Sequence, residues 1–138
     1  HSRYNDSTTG ESFDGDYDQR HTLTVYASLR LWSRATAIAK YRAGSNIPVR
    51  GYYAPTGLED ADGLPTFTLG PARNVGRLPP YSRLDLRFDQ VFNFSTRRLT
   101  LFAEIINVTS RVNAGLAGGR SIEKLLPLVP AAGFLFEF

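Results

Sequence analysis

The sequence predicts an all-β fold, a segment of an antiparallel transmembrane β-barrel built from about five long strands and incomplete on its own. Three observations predict it. Apolar and polar residues alternate with period two along several segments. Those segments run about 10–14 residues, well beyond the ~5–6 usual in globular sheets. The connections alternate between tight turns and long stretches rich in Gly and Pro, the asymmetry of barrels with short periplasmic turns and long outer loops.

The first segment spans about His21 to Trp32, with Leu23, Val25, Ala27, Leu29 and Leu31 on one face and Thr22, Thr24, Tyr26, Ser28 and Arg30 on the other. A turn at Ser33 and Arg34 leads to the second, which runs to about Gly44 and sets Ala35, Ala37, Ala39, Tyr41 and Ala43 against Thr36, Ile38, Lys40 and Arg42. The third, about Tyr81 to Phe94, is the clearest. Leu84, Leu86, Phe88, Phe92 and Phe94 share a face interrupted only by Gln90, and Arg83, Asp85, Arg87, Asp89, Val91 and Asn93 share the other. A turn at Ser95 and Thr96 gives the fourth, about Arg98 to Val108, with Leu99, Leu101, Ala103 and Ile105 opposite Thr100, Phe102, Glu104 and Ile106. The fifth, about Val129 to Phe138, opposes Ala132, Phe134, Phe136 and Phe138 to Ala131, Gly133, Leu135 and Glu137.

Twelve residues at ~3.3 Å each, tilted by ~45°, cover roughly 28 Å, the depth of a bilayer's hydrocarbon core. The expected arrangement turns the apolar face to lipid and the polar face to a wet interior, where mid-strand charges are tolerated. Ser45 to Pro80 and Thr109 to Pro127 are expected as outer loops, with Pro48 to Tyr53 and Thr66 to Leu69 extending the flanking strands. Residues 1–20 read as a further outer loop and residues 21–138 as strands and loops. Five strands are too few to close a barrel, for which about eight are needed. An open sheet in lipid leaves two edges of unpaired backbone groups, each costing several kcal/mol. The remaining strands are therefore expected from the rest of the same polypeptide, a companion chain or copies of this one.

Composition narrows the function classes. The 138 residues contain no Cys, so there is neither a disulfide framework nor a thiolate metal site. There is no Met and the chain begins at His1, from which an upstream segment is expected. The first twenty residues are polar and acidic, unlike a signal peptide. No run approaches the ~18 apolar residues of a membrane-spanning helix, which excludes a helical membrane protein. The net charge of +3 comes mostly from Arg interleaved with acids, as in Arg83-Leu84-Asp85-Leu86-Arg87-Phe88-Asp89, and argues for mutual pairing and against nucleic-acid binding.

Asp14, Asp16 and Asp18 have the spacing that opens a calcium loop, but Gln19 stands where Gly is needed and Val25 where a bidentate Glu should close it. They read as a solvated acidic loop, as do Glu59, Asp60 and Asp62. His21 lies near Asp18, and His1 at the start of the chain, yet no Ser, His and acid form a recognisable unit. The expectation is a non-enzyme with no cofactor and no metal. Arg30, Arg83, Asp85, Arg87, Asp89 and Glu104, with Lys40 and Arg42, are expected to line the interior, chiefly as cross-strand ion pairs holding register. Asn107-Val108-Thr109 matches a glycosylation sequon, which carries no weight in this context.

Several stretches resemble one family. Asp18-Gln19-Arg20-His21, Tyr41-Arg42-Ala43-Gly44 with Pro48, and Arg77-Leu78-Pro79-Pro80-Tyr81-Ser82-Arg83-Leu84-Asp85-Leu86-Arg87 occur in the order found in TonB-dependent outer-membrane receptors. Asn107-Val108-Thr109-Ser110-Arg111-Val112-Asn113 is similar to that family's Asn-x-x-Asn-Arg-x-Asn segment, with Thr109 and Ser110 departing from it. Leu126-Pro127-Leu128-Val129-Pro130 and the aromatic terminus complete the order, so the resemblance covers about residues 14–138. It implies the bacterial outer membrane and the C-terminal barrel wall of a receptor for a siderophore or other scarce nutrient. Implied partners are a plug domain, TonB, the barrel insertion machinery, lipid and lipopolysaccharide. Gly133, Phe136 and Phe138 resemble the C-terminal assembly signal of such barrels, Ala131 departing from it. Independently of the family, alternating Phe residues make a lipid-facing edge, and Gly133 leaves room for another chain to approach. Two other classes stay open on the residues alone: a multi-chain pore or scaffold, and a soluble β-domain that binds a partner.

Overall fold

A computed structural model describes residues 2–117 and 121–138. His1, and residues 118–120 within the long last connection, lie outside the described residues. The described chain is all-β: β1 (Arg3–Asn5), β2 (Ser12–Asp14), β3 (Thr22–Trp32), β4 (Ala35–Gly44), β5 (Tyr53–Glu59), β6 (Pro65–Leu69), β7 (Tyr81–Phe94), β8 (Arg97–Ile106), β9 (Ala114–Ala117), β10 (Ser121–Lys124) and β11 (Val129–Glu137). None of it is a helix long and apolar enough to cross a membrane.

The chain divides into two compact units. The sheet unit comprises Leu23–Arg42, Ser82–Arg111 and Leu126–Phe138. Its five strands are the five long segments, ordered β3-β4-β7-β8-β11, so each lies beside its predecessor in the meander and β3 and β11 form the two edges. Neighbours are antiparallel, as the β7·β8 and β8·β11 ladders show. At β4·β7 the Val91 amide donates to the Arg34 carbonyl, so the start of one strand meets the end of the other. Phe94 pairs with Arg97, so Ser95 and Thr96 make a two-residue hairpin loop, with Ser95 at φ 49° supplying the positive φ such loops need.

The loop unit comprises the chain up to Thr22, Ala43–Tyr81 and Val112–Leu125. It holds three two-stranded sheets: β1·β2, β5·β6 and β9·β10. This corrects the expectation that Pro48 to Tyr53 and Thr66 to Leu69 prolong the long strands. Pro48 makes a single bridge to Arg77, while β6 pairs with β5, Tyr53 opposite Leu69. The turn of that hairpin is closed by Asp60, whose Oδ1 accepts the amides of Asp62 and Leu64 at 2.9 Å. Local turn chemistry made a hairpin where period-two alternation alone suggested a strand extension. Residues 1–20 likewise contain a hairpin, with Tyr4 opposite Phe13 and their rings stacked at 6.1 Å.

Candidate functional site

The sheet unit keeps its two faces distinct across three strands. Leu86, Ile105 and Pro130 form one cross-strand row, Phe88, Ala103 and Ala132 the next, then Gln90, Leu101 and Phe134, then Phe92, Leu99 and Phe136. Because the side-chain period is two, one slipped residue would send every one of these side chains to the opposite face. The apolar face is the exposed one. Leu29 is 64% exposed and Phe134 72%, and Leu23, Val25, Leu31, Leu86, Phe88, Phe92, Leu101 and Ile105 are exposed too. Gln90, the polar interruption, is covered in its own plane: its Oε1 accepts from Trp32 Nε1 at 3.2 Å, and its Nε2 donates to the Val91 carbonyl at 3.2 Å. Trp32 also sets its ring 6.0 Å from Phe88.

On the three inner strands the opposite face is polar and mostly half-buried, whereas the edge strand β3 is exposed on both faces. Arg83 Nε and Nη2 both reach Asp85 Oδ2, at 3.1 and 2.8 Å, and Arg87 Nε reaches Asp89 Oδ1 at 2.8 Å. The expected pairing is thus present, but its short contacts run along one strand between residues two apart. The cross-strand contacts are longer, Arg42 to Asp85 and Arg87 to Glu104 at 3.8 Å and Arg98 to Glu137 at 3.6 Å. Same-face residues of β7 are close enough for a guanidinium to fold back onto its own strand, which explains the difference. Arg30 has no ionic partner among the described residues and lies apart from this group, beside Arg34, Thr36 and Arg98.

Asp85 is 7% exposed and uses its second oxygen to accept the Asn107 amide at 3.0 Å. Asn107, completely buried and at φ 55°, donates through Nδ2 to the carbonyls of Arg111 and Leu126 at 3.0 and 3.1 Å. One residue thereby ties the end of β8 to the start of β7 through its backbone amide and to the approach to β11 through its side chain.

At the C-terminal edge, Gly133 stands opposite Phe102. A Cβ built on Gly133 would lie 2.6 Å from Phe102 Cζ. The space a side chain would take at Gly133 is thus filled by the ring of its own neighbouring strand. Arg87 caps that ring from 4.2 Å, a cation–π contact. Phe136 and Phe138 meet edge-on at 5.4 Å, and Phe138 is 95% exposed.

In the loop unit the acidic spacing Asp14, Asp16 and Asp18 serves arginine and amide donors. Arg77 Nη2 binds both Asp14 Oδ2 and Asp18 Oδ2, the latter at 2.9 Å, while its Nη1 donates to the carbonyls of Asp18 and Asn46 at 3.1 Å. Arg20 adds contacts of 3.2 Å to the same two carboxylates. The Arg77 guanidinium, then the Ser2 amide, then Arg20 hold the Asp18 carboxyl well below the usual carboxylate range, against a smaller opposing effect of desolvation. Asn74, 2% exposed, donates to the Asp14 carbonyl and Asp16 Oδ1 at 2.8 Å and accepts from the Gly51 amide at 3.0 Å. Gln19 lies over Gly44, where a Cβ would come within 2.3 Å of its Nε2, and donates to the Ser45 carbonyl at 3.0 Å. His21 donates its backbone amide to Ser45 Oγ at 3.0 Å, closing the loop at the foot of β3.

The stretches that carry the family resemblance therefore supply the polar staples of both units: Asp18, Gly44 and Arg77 in one, Asp85 and Asn107 in the other. Sequence reasoning missed Asn74, Phe102, Trp32 and the double role of Asn107. Asn74, Phe102 and Trp32 each depend on a partner more than twenty residues away, as the Asn107 amide does on Asp85, and the Asn107 side chain reaches Leu126, 19 residues on; period-two patterning carries no information on such pairs. No family model, curated protein or solved structure matches the chain.

Proposed function

We propose that the chain is a wall segment of a bacterial outer-membrane β-barrel, and that the whole protein is a TonB-dependent receptor taking up a siderophore or another scarce nutrient. One observation carries the barrel reading: a registered sheet whose apolar face lies exposed and whose polar face, on the inner strands, is the half-buried and largely self-paired one. In water that distribution is costly, since each exposed Leu or Phe forgoes about 1.5–3 kcal/mol of burial. Against hydrocarbon the cost disappears, and the ion pairs face a wet interior. The strand lengths fit: 14 residues in β7 and 9–11 in the other four, near the ~9–11 tilted residues that span a bilayer. Trp32, Phe94, Phe136 and Phe138 gather at the strand ends joined by tight turns, as an interfacial aromatic girdle does.

The receptor part of the reading rests on the ordered motifs, whose residues serve as the staples described above. In this role the loop unit presents ligand-facing surface, while plug, TonB and insertion machinery act on the complete barrel. Membrane fractionation of cells expressing the protein, followed by extraction with and without detergent, tests the barrel reading. Release only by detergent, with a gel mobility that changes on boiling, is the expected result; release by salt alone overturns it.

A further inference from the structure

The polar face of the sheet is electrically uneven. Along most of β7 each guanidinium meets a carboxylate: Arg83 with Asp85, Arg87 with Asp89 and Glu104, and Arg42 with Asp85. Beside the two tight turns the balance changes. Arg30, Arg34 and Arg98 line one open cleft of about 500 Å³ together with Ser33, Thr36, Asn93 and Val91. Among the described residues neither Arg30 nor Arg34 has an ion-pair partner, and Arg98 pairs with Glu137 at 3.6 Å, both side chains half exposed. Three like charges in one concavity repel each other, and a negative occupant relieves that repulsion.

We propose that this cleft is a binding site for a compact, multiply charged phosphate oxyanion of the pyrophosphate class. Guanidinium forks pair two-pronged with phosphate oxygens, and Ser33, Thr36 and Asn93 add neutral donors around them. Three cations in one cleft call for several negative charges on one small group, which a lone carboxylate does not carry. Val91 is the only aliphatic lining residue, so the cleft offers little to an apolar ligand. The volume lies within the range of small-molecule sites, about 300–1,000 Å³. The site needs only the fold of the sheet unit, so it stands or falls separately from the uptake role.

Calorimetric titration of the full chain in zwitterionic detergent, at constant ionic strength, tests the proposal with inorganic pyrophosphate and, separately, with phosphatidic acid mixed into the micelles. Saturable binding of pyrophosphate assigns a free oxyanion; saturation by phosphatidic acid alone assigns a lipid headgroup of the same chemistry. Arg30→Gln with Arg34→Gln should weaken binding at least tenfold, and Arg50→Gln, in the loop unit, should leave it unchanged. If the double variant fails to fold by circular dichroism, Arg98→Gln alone carries the comparison, with about threefold weakening expected. Saturation by neither probe overturns the site, as does equal binding by the folded cleft variants or equal weakening by Arg50→Gln.

Discussion

In the sheet unit Leu, Val and Phe side chains of one face lie open to the surroundings, while Asp85 and Asn107 are buried. The loop unit has a small apolar core, Val49, Leu64 and Leu78, and its exposed side chains include Leu58, Leu69 and Tyr17, the last 4.2 Å beneath the Arg50 guanidinium. Both units bury polar residues, but for different ends. In the loop unit Asn74 and Arg77 supplement the small apolar core, giving the carbonyls of Asp14, Asp18 and Asn46 and the Gly51 amide fixed partners. In the sheet unit Asp85 and Asn107 sit where strands leave the sheet. On the barrel reading proposed above, a change of solvent along one chain, from water to hydrocarbon, accounts for this contrast.

The contrast breaks most directly at Phe88, on the apolar face. Phe88→Arg should cost about 2–4 kcal/mol and abolish assembly into lipid vesicles, because a cation at mid-depth on a lipid-facing strand has no solvent. Urea titration of the protein folded in vesicles measures it. A neutral result, or a better-behaved soluble protein, would mean that this face meets water.

Asn107→Ala comes next, removing two part-buried hydrogen bonds to the Arg111 and Leu126 carbonyls and placing Ala at a positive φ, at a cost of about 3 kcal/mol on the same titration. Asn107→Gly restores the ease of a positive φ without the amide, so it should recover less than half of the loss. Fuller recovery would make the backbone bend the important feature and the staple incidental.

A third test belongs to the loop unit. Asp18 is held below its unfolded value, so its contribution is complete above about pH 4 and fades as pH falls toward the folded value. Protection factors at the amides of Ser2 and Gln19, taken against the intrinsic exchange rate at each pH, should therefore fall between about pH 4 and pH 2 while the ladder of β7 and β8 stays protected. Asp18→Asn should remove most of that pH dependence and lower protection already at neutral pH. Equal acid sensitivity in both units would erase the distinction between them.

How much of this was readable in advance follows from range. The five long strands, their faces and the two tight turns rest on near-neighbour alternation, and their ends lie within two residues of the expected positions. The strand pairing followed from the meander. What the pattern concealed was polar closure: Gln90 looked like a flaw in an apolar face until Trp32, 58 residues away, supplied its donor. Asp14, Asp16 and Asp18 drew attention as a metal spacing, whereas Arg77, some sixty residues on, consumes two of them. The hairpin of β5 and β6 hid inside a stretch whose Gly and Pro content signalled only a loop.

The smallest expected effect lies at the C-terminal edge and decides what Gly133 is for. If the glycine serves the Phe102 ring, Gly133→Ala pushes a methyl against the end of a side chain that can swing, costing about 1 kcal/mol. Truncating the ring instead, Phe102→Leu, vacates that space and also removes the Arg87 contact at 4.2 Å. In the double variant the methyl meets no ring, so the two losses should sum to less than their separate values by about 0.5–1 kcal/mol. Urea midpoints of the four proteins in vesicles give that coupling. Full additivity would detach Gly133 from Phe102 and return it to the role the terminal pattern suggested, a clear approach for another strand. Assembly rate separates the two uses further, since a residue read by an incoming chain slows insertion when altered, whereas one that seats a ring lowers only the stability of the finished sheet.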